Sequence, residues 1–385
     1  MNINNWTSER KIALLGHIEK LRARFDKFHE IALSDNLCGK HNKLLLKIMG
    51  LWPHQPLFIR RLLFFLNEMF AMSVVVPSGL FMVEAWGIDF SFLIGQITGF
   101  CFFMSFPICY IIAYSRIPQF KVLLAETTKA WNVLKDEFEN EQVMEYSKLG
   151  HLLSIGFTIY LFIFWTFCTT LLLLIPFLGI SDPYVNHTGP MNVIRLNYIV
   201  FEQRDHYYLT SMHLSCFTFA FVVSLAGVSS IFLITIEQIR GFLSVTRLCD
   251  LIEDALYPIA LESQVFCVAQ LALSYYCILE GDVIPYSIKC GICLVIAGIY
   301  FFLMIMSWLG QSITNSSEDV FDAICMSDWY LAQPKDRKQL LLIMQRSQDP
   351  SILTAGKISN LSLESFVQLL KMSSSYFGAI ASFRS

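Results

Sequence analysis

Seven stretches of this chain are each long and apolar enough to cross a bilayer, and they dictate what the rest can fold into. They run over residues 57–83, 90–114, 149–180, 212–236, 257–279, 286–309 and 358–383. A hydrocarbon core about 30 Å thick takes around 20 helical residues and offers no partner to backbone N–H and C=O groups. Continuous apolar runs of this length are therefore predicted to be membrane-spanning helices. Two of them are impure. Residues 257–279 carry Glu262 and Gln264, and the last stretch holds Glu364, Gln368, Lys371 and four serines between Ser365 and Ser375. A helix as polar as the seventh is poorly suited to face lipid. Composition agrees with a membrane setting: 55% of residues are hydrophobic and 15% charged, where a soluble domain carries about 25% charged residues. The fold class read from the chain is all-α, a polytopic membrane protein with seven transmembrane helices.

The charges divide the chain and orient it. A polar, basic arm covers residues 1–56, the first six spans fill 57–310, a polar segment follows over 311–357, and the seventh helix lies in 358–385. Residues 1–47 contain no apolar core of a signal peptide, so the first span is expected to direct insertion. Lys and Arg near helix ends mark the cytosolic side. With the amino terminus in the cytosol, 22 of the 28 basic residues fall on that side, against Arg195, Arg204 and Arg384 among the few on the opposite side. The amino terminus is accordingly expected in the cytosol and, after seven spans, the carboxyl terminus outside. A metabotropic receptor coupled to a G protein needs the reverse orientation. Arg204-Asp205-His206-Tyr207 is only a scrambled echo of such receptors, on the wrong side of the membrane. The sequon Asn186-His187-Thr188 falls in a loop expected to be external, in keeping with this orientation.

Several function classes drop out. A net charge of −3 gives no reason to expect nucleic acid. The eleven cysteines mostly sit in apolar runs, where a thiol behaves as a small hydrophobe. Cys290 and Cys293 form a C-x-x-C without a second Cys or His pair to complete a metal site, so packing is the better reading. No G-x-S-x-G, H-E-x-x-H, P-loop or G-x-G-x-x-G is present. No cofactor, metal or catalytic residue is expected. A transporter should show internal repeats and broken helices in corresponding halves, and none is visible.

The carboxyl end is more specific. Asp328-Trp329-Tyr330, then K-D-R-K-Q-L-L-L-I-M-Q-R-S-Q-D-P over 335–350, L-T-A-G-K over 353–357 and S-S-S-Y-F over 373–377 resemble the signature of the insect odorant receptor family. L-L-K-I-M-G-L-W-P over 45–53 looks like the version found in ants, bees and wasps. The resemblance implies four subunits around one pore, with the cytosolic halves of the last four helices forming an anchor. It implies a hetero-tetramer with a shared odorant co-receptor, in the plasma membrane of olfactory neuron dendrites, and a volatile small-molecule ligand held among the second, third, fourth and sixth helices. The connection between Glu237 and Asp254 is shorter than the resemblance would lead one to expect, as though a helical segment of the anchor were missing.

Under that resemblance the candidate ligand-binding residues, in the outer halves of the helices, are Phe92, Gln96 and Phe100, then Phe164, Trp165 and Thr169, then Tyr208 and Met212, and finally Tyr286 and Cys290. Small volatile ligands call for an aromatic lining with few polar groups. Trp165 stands out because it joins a large surface to one N–H. With 33 phenylalanines in the chain, core packing competes with every such assignment. The resemblance also places the gate at Ala379 and Phe383, which at i and i+4 share one helix face, with Ser375 and Ser382 wetting it. Glu84, Asp89, Asp182, Glu202, Asp205, Glu280 and Asp282 outnumber the basic residues on the expected outer side, so that a negative vestibule competes with plain solvated loops. Glu68, inside the first span, receives no role.

Overall fold

The computed structural model describes residues 39–86, 90–133, 137–174, 195–199, 201, 203, 205–241, 245–279 and 286–382. The helices are α1 (Lys40–Ile48), α2 (Leu57–Glu84), α3 (Phe90–Ser115), α4 (Ile117–Val133), α5 (Glu137–Leu174), α6 (Tyr207–Gly241), α7 (Val245–Leu279), α8 (Tyr286–Met326), α9 (Pro334–Ser347) and α10 (Leu363–Ser382). A short 3-10 turn, Trp329–Leu331, precedes α9. A two-stranded hairpin, β1 (Thr354–Ala355) and β2 (Ser359–Asn360), precedes α10. Among the described residues six helices, α2, α3, α5, α6, α7 and α8, are long and apolar enough to cross a membrane. α10 has spanning length, 20 residues, but is more polar.

The long helices overrun the bilayer. At 1.5 Å per residue, α5, α6, α7 and α8, of 38, 35, 35 and 41 residues, reach about 50 to 60 Å, well beyond a core of about 30 Å. Their charged residues cluster at the end of the bundle that carries α1: Glu145 and Lys148 on α5, Glu237 on α6, Asp250, Glu253 and Asp254 on α7, and Glu318, Asp319 and Asp322 on α8. The stretches expected to be linkers are therefore largely helical. The seemingly short connection between Glu237 and Asp254 is the meeting of two helices that each run far past the apolar core, with only residues 242–244 between them. The seventh helix starts at Leu363 rather than at 358, because residues 359–360 pair in the hairpin.

Packing follows the apolar pattern. α6 is the buried centre, with Phe217, Ala226, Ser230 and Leu233 among its closed-off residues. α5 lies along it, and a Cβ on Gly150 would come within 3.1 Å of the Ile234 Cα, which shows how closely the two backbones approach. α2 and α5 instead turn stripes outward: Leu62, Phe65, Met69, Met72 and Val76 on one, Leu152, Ile155, Ile159 and Ile163 on the other. Spacings of three and four residues keep each stripe on one face, as contact with acyl chains requires.

α1 is closed by a glycine turn. Gly50, at φ +70°, sits just past the helix; its N–H donates to the Lys47 carbonyl at 3.2 Å and the Leu51 N–H to the Leu46 carbonyl at 2.8 Å. This is a Schellman stop, which needs the left-handed residue that glycine adopts without a Cβ penalty. The turn drives Trp52 into the core, and the Tyr110 hydroxyl donates to the carbonyl of Met49. Burial also holds the imidazole of His41, on α1, below its usual range, and its Nε2 lies 3.2 Å from Ser154 Oγ.

The hairpin is fastened to α7. The Gly356 N–H donates to the Tyr257 carbonyl at 2.8 Å, Thr354 Oγ1 to Glu253 at 2.8 Å and Ser359 Oγ to Gln264 at 3.0 Å. Pro258 cannot donate to the carbonyl four residues back. The Arg116 guanidinium fills that gap at 3.5 Å from the Asp254 carbonyl, while it donates to the Tyr257 hydroxyl at 3.0 Å. Gly356 takes φ +63°, and a Cβ there would run into the Leu261 side chain. Gly356→Ala is therefore expected to lower stability by about 1–3 kcal/mol from backbone strain alone, whereas Gly156→Ala, which meets open space, should not destabilise. Melting curves of the two detergent-solubilised variants beside the parent protein check this.

Candidate functional site

A cavity of about 460 Å³ lies inside the bundle between α3, α5, α6, α7 and α8. Its wall is overwhelmingly apolar and rich in aromatic rings: Phe102 from α3, Phe157, Tyr160 and Phe164 from α5, Phe221 from α6, Phe266 from α7 and Phe302 from α8. Helix phase sets which residues reach it. On α6 the inward set is Thr218, Phe221, Val222 and Leu225, spaced three, four and seven residues apart on one face.

Of the ten residues singled out in the sequence, four line this cavity: Phe92, Gln96, Phe164 and Trp165. Phe100 does not, because it turns toward α2, where a Cβ on Gly79 would lie 3.2 Å from its ring. Thr169 is half-buried one position round the helix from Cys168, which does line the cavity. Tyr208 and Met212 belong to the outward phase of α6 and are 52% and 62% exposed. Tyr286 and Cys290 lie in the first turns of α8, and their side chains fall outside the described residues.

The Trp165 N–H is already engaged. It donates to the Ser215 carbonyl at 3.2 Å while the ring lies edge-on to Phe219 at 5.0 Å. What Trp165 offers the cavity is ring surface, and its hydrogen bond pins the ring in place.

The sequence reading missed the contribution of the fifth span. α7 supplies Glu262, Ser263, Phe266, Cys267, Gln270, Ser274 and Cys277. The signal was present in the two polar interruptions of residues 257–279, since an ionisable group within a span points to an interior surface. Gln264 faces the other way and holds the hairpin, whereas Glu262 looks into the cavity. At the opposite end stands Arg195. Its guanidinium lies 4.9 Å from the Phe92 ring centre and 5.9 Å from that of Phe81, and the Arg195 backbone N–H donates to Gln96 Oε1 at 3.3 Å. The short segment that carries Arg195 is held by further bonds: Asn197 donates to the Pro77 carbonyl at 3.0 Å and to Glu84, and the Tyr198 hydroxyl meets His213 Nδ1 at 2.8 Å. Burial pushes the Tyr198 phenol up to about 12.

The terminal helix presents a second arrangement. Ser365, Leu369 and Ser373 are buried against the bundle, and the face formed by Glu364, Gln368, Lys371, Ser375, Ala379 and Ser382 is exposed. Steps of three and four residues put these six on one stripe. Phe383 lies outside the described residues. So do Asp89, Asp182, Glu202, Glu280 and Asp282 of the acidic set, while Glu84 bonds Asn197 and Asp205 is exposed. Glu68 has one buried oxygen without a hydrogen-bond partner, and Arg60 rests over the Tyr114 ring instead of pairing with it.

Gly95 and Gly291 also line the cavity, and a Cβ at either would have no atom within 4 Å. Gly291→Leu is expected to fill the space without displacing protein atoms, leaving the melting temperature unchanged while abolishing uptake of small apolar molecules. Tryptophan emission of the purified protein titrated with volatile compounds measures this.

Comparison with known proteins agrees with this architecture. Residues 235–374 match the family model described as 7tm Odorant receptor. Odorant receptor 2a of Drosophila melanogaster is 26% identical over 144 residues, 37% of this chain and 36% of that protein. Odorant receptor Or2 of Anopheles gambiae is 30% identical over 89 residues, 22% of this chain and 24% of that protein. The aligned stretches thus span little more than a third, at most, of these two relatives. The likeness in structure is far wider. The insect olfactory receptor OR5 from Machilis hrabei, solved in complex with eugenol, superposes with a TM-score of 0.74 at 13% identity, over 92% of this chain and 99% of that one. A second structure of the same receptor gives a TM-score of 0.72 over 89% of this chain and 96% of that one, at 13% identity. The fold is shared through nearly the whole bundle, and the sequence kinship is concentrated from α6 to α10: over residues 235–374 the chain is similar to the insect odorant receptors.

Proposed function

We propose that this chain is the odorant-tuning subunit of a ligand-gated, non-selective cation channel, assembled as a hetero-tetramer with the shared odorant co-receptor in the plasma membrane of olfactory neurons. The observation that carries the reading is the uncovered polar stripe of α10. A helix of spanning length that leaves Glu364, Gln368, Lys371 and Ser375 exposed in the isolated chain cannot turn that face to hydrocarbon without a cost of several kcal/mol per unsatisfied group. Four such helices around an axis would instead direct the stripe toward water. In this arrangement Ala379 and Phe383 narrow the path near the carboxyl terminus, and the small side chain at 379 leaves most of the apolar barrier to the co-receptor. The bundle end that carries α1 faces the cytosol, and the amino terminus with it. The metabotropic alternative needs the reverse orientation, and the fold likeness to an insect olfactory receptor gives it no support.

Gating follows from differential binding. A volatile molecule in the cavity shifts the channel toward conduction only by as much as it prefers the open arrangement, so tight binding alone opens nothing. Eugenol, bound by the Machilis hrabei receptor, is a reasonable first member of a test panel. The deciding experiment is co-expression with a co-receptor and recording of current under such a panel; silence to every compound from a surface-expressed heteromer would end the reading.

Two substitutions probe the parts separately. Phe383→Ala is expected to change unitary conductance or basal leak while leaving the order of effective odorants intact, and single-channel recording reads both. Trp165→Ala removes a cavity ring together with its bond to Ser215 and is expected to re-rank odorant potencies by about tenfold, the scale of about 1.4 kcal/mol that loss of an aromatic contact carries. Identical dose–response curves would exclude it from the ligand site.

A further inference from the structure

The cavity is elongated, and its two ends differ in chemistry. Phe92 and Cys109 both line it and are separated by 17 positions of α3, or about 25 Å at 1.5 Å per residue. One end is held by Arg195, already stacked on Phe92 and bonded to Gln96. The other holds Glu262, one turn beyond Pro258, with only 9% of its surface exposed. Glu262 lies beside the Cys109 thiol, at best a weak donor, whereas a carboxyl has room for about four hydrogen bonds. Among the described residues no basic side chain is in ion-pair contact with it. The nearby cations are occupied elsewhere: Arg116 and Lys357 both lie over the Tyr257 ring, at 4.9 and 5.4 Å. Nor is Glu262 needed to hold the hairpin, a task that falls to Glu253 and Gln264.

A carboxyl closed inside a membrane bundle, with a thiol beside it and no ion-pair partner among the described residues, calls for a donor. The cavity offers a face from which that donor can come, since Glu262 lines it beside Ser263 and Phe266. We infer that Glu262 is the specificity-determining acceptor of the ligand site, and that it selects largely apolar molecules bearing a hydrogen-bond donor at one end, an alcohol or an amine. The hydrocarbon body lies along the aromatic wall toward Arg195, and the donor head reaches Glu262. This rests on the cavity being the ligand site of the receptor proposed above.

The test uses the full chain and four probes of one skeleton: octanol, octylamine, octanone and octane. Binding is read as the ligand-induced shift in melting temperature of the purified chain, and gating as current from the heteromer. Glu262→Met keeps the volume and removes the acceptor. It is expected to weaken octanol and octylamine about ten- to a hundredfold, as loss of a buried hydrogen bond to a charged group does, while octanone and octane, which have no donor, are unaffected. Their retained binding shows that the variant is folded. Glu262→Gln separates the two donors: octanol survives because the amide oxygen still accepts, and octylamine weakens if its charge matters. Equal weakening of all four probes by Glu262→Met, no weakening of any, or failure of both donor-bearing probes to bind the unaltered chain overturns the inference. Selective binding without current would leave it standing and count instead against the channel.

Discussion

α7 is the element on which the rest of this molecule depends, because it buries two faces that do different things. One face closes the aromatic cavity with Glu262, Phe266 and Gln270. The other bears the hairpin through Glu253, Tyr257 and Gln264 and packs against α10. A bilayer allows a polar side chain on a span only where protein or water receives it. The polar residues of α7 are consequently distributed between an internal cavity and an internal joint, and the helix needs no lipid-facing stripe of the kind seen on α2 and α5.

That placement links the cavity to the terminal helix by a short physical path. Ser263 lines the cavity, Gln264 beside it holds Ser359, and Leu361 follows in the segment that enters α10. The approach at this point is so close that a Cβ on Gly310 would overlap the Leu361 carbonyl. A second small void, lined by Ser263, Gln264, Phe302 and Leu361, lies directly along the route. Close packing transmits displacement, whereas a loose joint would absorb it. The sequence motif L-T-A-G-K thus has a concrete role: Gly356 supplies the left-handed turn, and Thr354 and the Gly356 N–H tie the strands to α7.

The lengths of the helices carry a second lesson. Hydropathy marks where a helix is apolar and says little about where it stops, so α5, α6, α7 and α8 all run on into polar sequence that reads as linker. Beyond their apolar stretches these ends carry further partners, α1 against α6 and α9 against α8. The Schellman stop at Gly50 and the bond from Tyr110 to Met49 fix α1 beneath them.

By itself the sequence determined the class of the molecule. Lipid denies partners to the backbone, so apolar runs of spanning length had to be helices, and the skew of Lys and Arg assigned an expected orientation. It also exposed the polar seventh helix, whose stripe from Glu364 to Ser382 follows directly from helical spacing. The left-handed backbone at Gly50 and Gly356 came only with the structure. The ligand site was legible only in part. Phe92, Gln96, Phe164 and Trp165 reach the cavity, but Phe100, Thr169, Tyr208 and Met212 do not, because an almost uniformly apolar helix carries little record of its own rotational phase. Glu262 looked like an interruption of a span. Only the tertiary structure, by turning α7 so that Glu262 lines the cavity while Gln264 meets Ser359, decided which of two neighbouring polar residues serves the cavity and which the joint.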